Sequence, residues 1–549
     1  MKREHIILAG VIVITLGLST LPYGVAWLAQ PPDQHFMGIV SNVPDTAQYL
    51  AWMKASTRQI IIENPLTPEP QAAPTFFNLQ WLVLGRLSGW FGVSPAWTLQ
   101  LFRIFAVVLF MVVTYKLCKV YFPTESWAAW AAWLCINFSA GWGWVLVLIK
   151  QLTHAADVKY PLTVYVAEPV SFQNMMIYPH FLLAATLLIL IFGAFVIAVD
   201  RQQLKYGLVS GLLGLILGLT HAYDLSIVYG VLGIFTLLVL LRNGFSWRPI
   251  LSLFTVGLIS SPPAAYFYYL TTTDPLWREV LAQFKNVAVF TPDPLLLIIL
   301  MGLPLVLAVF TLDGVFPLPA KNLWQLLIRV WFGVNFFLLY IPTDFQIHML
   351  NGWQVALGLL ASEGLFYRLL PAIGRHAAFK QAIYKIAPRW QPKAFKWLLV
   401  AALLLAVVPT NIYLLLWRIK DMSSVQHQYY LYNDELAALK WLETNTSPQD
   451  LVFADLTVGQ YIPGLAGNKV YLGHWAQTVD FYTKKARVAY FYRPELSEQD
   501  RRAILEQYHV KYLFYGREEK SMGTVNPGQL PYLTLVFDTP NTKIYQTNF

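Results

Sequence analysis

Charge is what this sequence has least of. Only 13% of its 549 residues are Asp, Glu, Lys or Arg, whereas 56% are hydrophobic, so the chain cannot cover a water-facing surface in the way a soluble globule does. Lipid is the solvent that such a composition calls for. Cysteine is nearly missing as well. Cys118 and Cys135 both fall in or beside apolar runs, which excludes a disulfide framework, a haem-attachment motif and a zinc-ligand cluster. The chain has no Gly-x-x-x-x-Gly-Lys-Ser/Thr phosphate loop, no His-Glu-x-x-His, no Gly-x-Ser-x-Gly and no Asp-x-Asp pair, which argues against ATP-driven transport and zinc proteolysis. Repeats of solenoid period and low-complexity tracts are absent too.

What is present is a succession of apolar runs. They lie near 6–28, 98–118, 126–148, 180–199, 207–222, 225–241, 249–270, 294–312, 323–341, 349–367 and 397–417, and they read as about eleven transmembrane helices of an α-helical polytopic membrane protein. The first run reads as an uncleaved helix, because no small-residue cleavage site stands before Gln30. The net charge of +9 is carried by short loops between runs, which makes it a topology signal and not a nucleic-acid footprint. With the N-terminus cytoplasmic, Lys116, Lys119, Arg201, Lys205, Arg242, Arg248, Lys321 and the basic stretch from Arg368 to Lys396 all stay inside. The segments 29–97, 149–179, 271–293 and 342–348, and everything after Trp417, then face outward. Two domains are expected: a transmembrane module over 1–420 and a small soluble outer α/β domain over 421–549, with a helix near 433–444 and strands at 451–454 and 511–515. Within the long outer loop 29–97, the apolar stretch near 75–91 reads as a helix lying in the membrane interface. Thr220–Asp224 reads as a tight outward turn between two helices.

Ionisable residues at membrane depth are costly, which makes each a functional candidate. Asp45 follows the first span and has two readings: a carboxylate that takes a proton from a nucleophile, or a helix cap with Gln48 as its capping-box partner. Asp157 and Glu168 fall in the next outer segment. His180 and His221 are expected at one outer depth, able to donate to a phosphate or move a proton, or else simply bonded to backbone. Arg103, inside the second span, reads as a member of a buried ion pair or a ligand for an anion. Arg278 and Lys285, seven apart, would share a helix face and could clamp a lipid phosphate or merely lie at headgroup level.

In chain order, several motifs resemble those of the GT-C superfamily of polytopic membrane glycosyltransferases, in a protein mannosyltransferase-like or bacterial lipid-sugar-dependent branch. They are Asp45 with Tyr49 in the first outer loop, the interfacial helix ending near Gly92, Phe102-Arg103, Ser139–Trp144, Asp157, Glu168-Pro169, Pro179-His180 and Gly218–His221. The resemblance implies transfer of a sugar from a polyprenyl-phosphate donor to a glycan, lipid or protein acceptor at the outer face of a bacterial cell membrane. It implies Asp45 as general base of an inverting displacement, Glu168 or Asp157 as a second acid, and His180, His221, Arg103 and Arg278 as partners of the departing phosphate. One departure is visible: where the family pattern carries arginine near positions 347 and 348, this chain has His348, which would have to take that role. No cofactor is required by the scheme, although a divalent metal between paired acids is compatible with it. The rival readings are a transporter or flippase of lipid-linked sugars, and a non-catalytic polymer-binding membrane protein.

Overall fold

In lipid a backbone finds hydrogen-bond partners only within a helix or a closed barrel, so long apolar runs without an alternating pattern become helices. The computed structural model follows this rule; it describes residues 2–154, 166–285, 290–312, 322–343, 346–373, 375 and 392–549. Asp157 and Lys321 lie outside the described residues, as does most of the basic stretch beyond Arg375. The chain forms two compact units. One comprises Met1–Thr20, Arg103–Tyr266 and Val289–Trp417, the other Leu21–Phe102, Phe267–Ala288 and Arg418–Phe549.

The first unit is helical, and the chain is an integral membrane protein. Among the described residues of the whole chain, six helices are long and apolar enough to cross a membrane, or eight if each of two bent pairs counts as one span. Hydropathy had suggested eleven. The difference arises where apolar sequence is not continuous helix. The expected span 126–148 is Ser126–Phe138 followed by Gly143–Thr153, bent by 49°, and the expected span 397–417 is likewise broken by a 46° bend ahead of Pro409. Residues 294–312 form two short helices, Pro294–Met301 and Leu303–Val309, split at Gly302 with φ of 67°. Leu204–Thr220 and Leu323–Leu338 are shorter apolar helices.

The breaks are mutually satisfied. Ala140 N–H donates to the Val407 carbonyl at 3.1 Å and Trp142 N–H to Ile299 at 2.9 Å. Thr410 Oγ1 donates to the Gly141 carbonyl at 3.0 Å and accepts from Trp144 N–H at 3.2 Å, while Asn411 Nδ2 donates to Phe138 at 2.7 Å. Backbone groups freed by one break are thus paired by another, the condition for irregular backbone inside a membrane protein. Gly141 is required there. Its φ is 62°, and a Cβ would lie 2.0 Å from the Leu300 carbonyl oxygen.

In the second unit, β1 (Gln34–Phe36), just after the first helix, pairs antiparallel with β2 (Tyr430–Tyr432), at the entry to the C-terminal region. The helix Val43–Ser56 starts with Pro44 in its first turn, where the missing N–H is harmless. The helix Leu79–Phe91 is capped by Asn78, whose side chain accepts from Gln80 and Trp81 N–H, and it ends at Gly92 with φ of 64°. Its last residues, Trp90 and Phe91, are three-quarters exposed. The C-terminal region holds a five-stranded mixed sheet. Its strands are β3 (Leu451–Phe453), β4 (Lys469–Val470), β5 (Val510–Tyr515), β6 (Leu533–Asp538) and β7 (Lys543–Thr547), in the order β4-β3-β5-β7-β6. β3 pairs parallel with β4 and β5, whereas β7 pairs antiparallel with β5 and β6. Helices Asn433–Asn445, Phe481–Phe491 and Glu498–Gln507 complete this small α/β domain.

Candidate active site

In the first unit a set of basic residues and a cluster of histidines and acids occupy opposite helix ends. At one end Lys119 pairs with Glu4 at 3.1 Å, Arg201 and Arg242 close their helices, and Arg248 donates to the Gln202 carbonyl at 3.1 Å. At the other, four short pieces of chain converge. Pro179 starts a helix and brings in His180; Leu204–Thr220 ends at His221; a single turn over Ala222–Asp224 leads into Leu225–Asn243; and the turn Gln346–Leu350 carries His348.

There the side chains touch. The His180 and His221 rings are 5.3 Å apart, His221 and Tyr223 4.9 Å, and Tyr223 and His348 5.0 Å. His348 Nδ1 and Glu168 Oε1 are 2.5 Å apart, with the carboxylate only 6% exposed. His221 Nδ1 lies 3.3 Å from Asp224 Oδ2, which also accepts from Asn351 Nδ2 at 2.8 Å; Asp224 is fully buried. Asn335 Nδ2 donates to the Met349 carbonyl at 2.5 Å and fixes the turn that bears His348. A buried acid is tolerated only when paired and hydrogen-bonded, and both acids here are. The arrangement is a ring-lined polar patch capable of donating hydrogen bonds to an anion and of moving a proton.

Asp45 lies in the second unit, in the first turn of Val43–Ser56. The cap reading does not hold, since Asn42 precedes the helix at φ of 46° and the Asp45 carboxylate accepts from side chains. Asn42 Nδ2 donates to Oδ2 at 2.6 Å, and His474 Nε2 lies 3.1 Å from Oδ1. The Asp45 side chain is 29% exposed, while His474 is 2% exposed. Beside it, Tyr49 stacks on Trp81 at 4.4 Å.

Arg103 is buried, and its guanidinium meets neutral oxygens: Nη1 bonds Ser19 Oγ at 3.3 Å and the Met175 carbonyl at 3.1 Å, and Nη2 bonds Thr20 Oγ1 at 3.0 Å. These bonds fasten the first helix to Pro95–Tyr121 and to Ser171–Met176. Arg278 is exposed on Pro275–Lys285. Sequence reasoning brought Glu168, His180, His221 and His348 forward separately, and the fold joins them. It passed over Asp224 and Asn351, visible only as parts of turns, and over His474, a lone histidine in the soluble region with no motif around it. Among the described residues no three His, Cys, Asp or Glu side chains converge as a metal site. Glu168 and Asp224 are each committed to nitrogen donors, a poor start for a hard divalent ion that wants six or more oxygens.

The fold is similar to that of a solved oligosaccharyltransferase. Among solved structures, the chain is similar to the Archaeoglobus fulgidus oligosaccharyltransferase tethered with an acceptor peptide, with TM-score 0.53 and 14% identity over 98% of this chain and 74% of that one. A second structure of that enzyme, AglB, in complex with an inhibitory peptide and a dolichol-phosphate, matches with TM-score 0.53 and 13% identity over 99% of this chain and 74% of that one. ArnT from Cupriavidus metallidurans, bound to undecaprenyl phosphate, gives TM-score 0.47 and 12% identity over 98% of both chains. No protein-family profile and no curated protein matches the sequence.

Proposed function

We propose that this protein transfers a sugar from a polyprenyl-phosphate donor to an acceptor hydroxyl or amide at the outer face of the membrane. The observation that carries the reading is the convergence of Glu168, His180, His221, Asp224 and His348 at the helix ends opposite those that carry Lys119, Arg201, Arg242 and Arg248. Ionisable groups gathered at membrane depth are expensive unless a polar ligand uses them. A lipid-borne phosphate is such a ligand: its tail is at home among apolar helices and its headgroup needs donors at their ends. The dolichol-phosphate bound by the archaeal enzyme of the same fold belongs to that chemical class.

In this scheme His180, His221 and His348 donate to the phosphate, Glu168 holds the His348 ring, and Arg278 adds positive charge at headgroup level. Asp45 is the general base. It takes the acceptor's proton as the acceptor atom attacks the anomeric carbon; the bond from that carbon to the phosphate oxygen breaks, and the electron pair stays on the phosphate. Attack opposite the leaving group inverts the anomeric centre. Arg103 serves by joining helices. No step passes through a metal.

The test uses purified full-length protein, a panel of undecaprenyl-phosphate-linked hexoses and pentoses, and glycan, lipid and peptide acceptors supplied in parallel. At least one donor should be consumed with release of undecaprenyl phosphate, and Asp45→Asn should reduce that by about 100-fold or more, the scale of general-base loss, while leaving detergent stability intact. Equal turnover by variant and wild type would remove Asp45 from the chemistry.

A further inference from the structure

His474 lies in the loop between β4 and the helix Phe481–Phe491. Its Nδ1 accepts from the backbone N–H of Ala476 at 2.9 Å and of Gln477 at 3.2 Å. A ring nitrogen that accepts two amide hydrogens carries no proton, so the ring's hydrogen is on Nε2. That atom is the one 3.1 Å from Asp45 Oδ1. The tautomer is therefore written into the loop, and it makes His474 a donor to Asp45.

The loop is built to hold the ring still. Thr478 Oγ1 accepts from the N–H of Gly473 at 3.0 Å and of His474 at 3.1 Å and donates to the Leu66 carbonyl at 2.5 Å. Gln283 Nε2 donates to the carbonyls of Ala476 at 3.2 Å and Thr478 at 2.7 Å. Gly473 packs so closely that a Cβ would come within 2.7 Å of Val470 Cγ1. The other carboxylate oxygen receives Asn42 Nδ2 at 2.6 Å. One donor on each oxygen, from opposite ends of the sequence, fixes the plane of the carboxylate.

We propose that His474 is a positioning residue that aims the Asp45 carboxylate at the acceptor through its Nε2–H. The inference rests on Asp45 as the base. Because Nδ1 is committed to backbone, the ring does not relay the proton onward; it orients.

The test pairs two variants of the full-length protein, assayed with the undecaprenyl-phosphate sugar panel. His474→Asn keeps an acceptor for the Ala476 and Gln477 amides but reaches no further, whereas His474→Gln carries a donor out to the Nε2 distance. His474→Asn should lower kcat about 10- to 100-fold, as for one lost hydrogen bond to a charged group, with donor KM and melting temperature unchanged; His474→Gln should recover most of the loss. Nitrogen-15 histidine spectra of the wild type should show His474 protonated on Nε2, with a resonance that moves in Asp45→Asn. Wild-type kcat in His474→Asn, a loss that His474→Gln does not recover, or a proton on Nδ1 would each overturn the proposal. An inactive Asp45→Asn beside a fully active His474→Asn defeats this inference alone, whereas an active Asp45→Asn defeats the base assignment on which it stands.

Discussion

His427 is bracketed by two carboxylates, Glu435 through Nε2 and Glu518 through Nδ1, both at 2.8 Å. Burial works against its charged form, but the two carboxylates outweigh it and raise its pKa above the ordinary 6.5. Glu519 is fully buried in the same C-terminal domain, and burial pushes its carboxyl from 4.5 up to about 7, against the N–H groups of Asp455 and Gly516 that favour the anion. Both groups bind their proton more tightly folded than unfolded. Each therefore adds stability that is fully present below its unfolded value and is lost as pH rises through its folded one: for Glu519 from 4.5 to about 7, for His427 from 6.5 upward. Melting temperature of the purified protein should fall as pH rises from 4.5 to about 7, and Glu519→Gln should flatten that fall; a slope untouched by the variant would remove Glu519 as its source. Asp224 makes a different prediction. Asp224→Ala leaves the His221 ring and the Asn351 amide without their carboxylate partner, at a cost of about 1–3 kcal/mol, readable as a lower melting temperature in detergent.

At the scale of elements, the paired helix breaks in the membrane unit are the least expected feature. Apolar content gives each stretch as one span, yet Pro409 removes a donor and Gly141 allows a backbone contact that no other residue permits. Thr410 ties the two breaks together from a fully buried position. Thr410→Val keeps the volume and removes both hydrogen bonds, so it should destabilise by about 1–3 kcal/mol. Gly141→Ala should do more, because a Cβ meets the Leu300 carbonyl and the backbone φ of 62° is itself unfavourable with a side chain. Equal melting of Gly141→Ala and wild type would mean that this contact is not formed in the membrane.

At the scale of the whole molecule, the distribution of charge carries the orientation. In the first unit a set of basic residues gathers at one set of helix ends and the histidine and acid cluster at the other, the kind of asymmetry that sets the orientation of a membrane protein. A cysteine placed next to Asp480 should react with a membrane-impermeant maleimide added to intact cells, and one next to Lys385 should react only after lysis. The reverse pattern would turn the topology over.

Composition and hydropathy by themselves determined that the chain is helical in lipid, that the last 120 or so residues fold as a small α/β domain, and that Thr220–Asp224 reverses the chain, because these depend on local pattern and solvent. Single polar residues in apolar context marked His180 and His221 for the same reason, whereas Glu168 and His348 came forward through the family resemblance. What only tertiary structure decided was pairing. Glu168 and His348 are 180 positions apart and Asp45 and His474 are 429 apart, and no periodicity encodes a contact of that length. The breaks in the helices were hidden likewise, since hydropathy counts apolar residues and does not record whether a backbone N–H finds its carbonyl four residues back or in another segment.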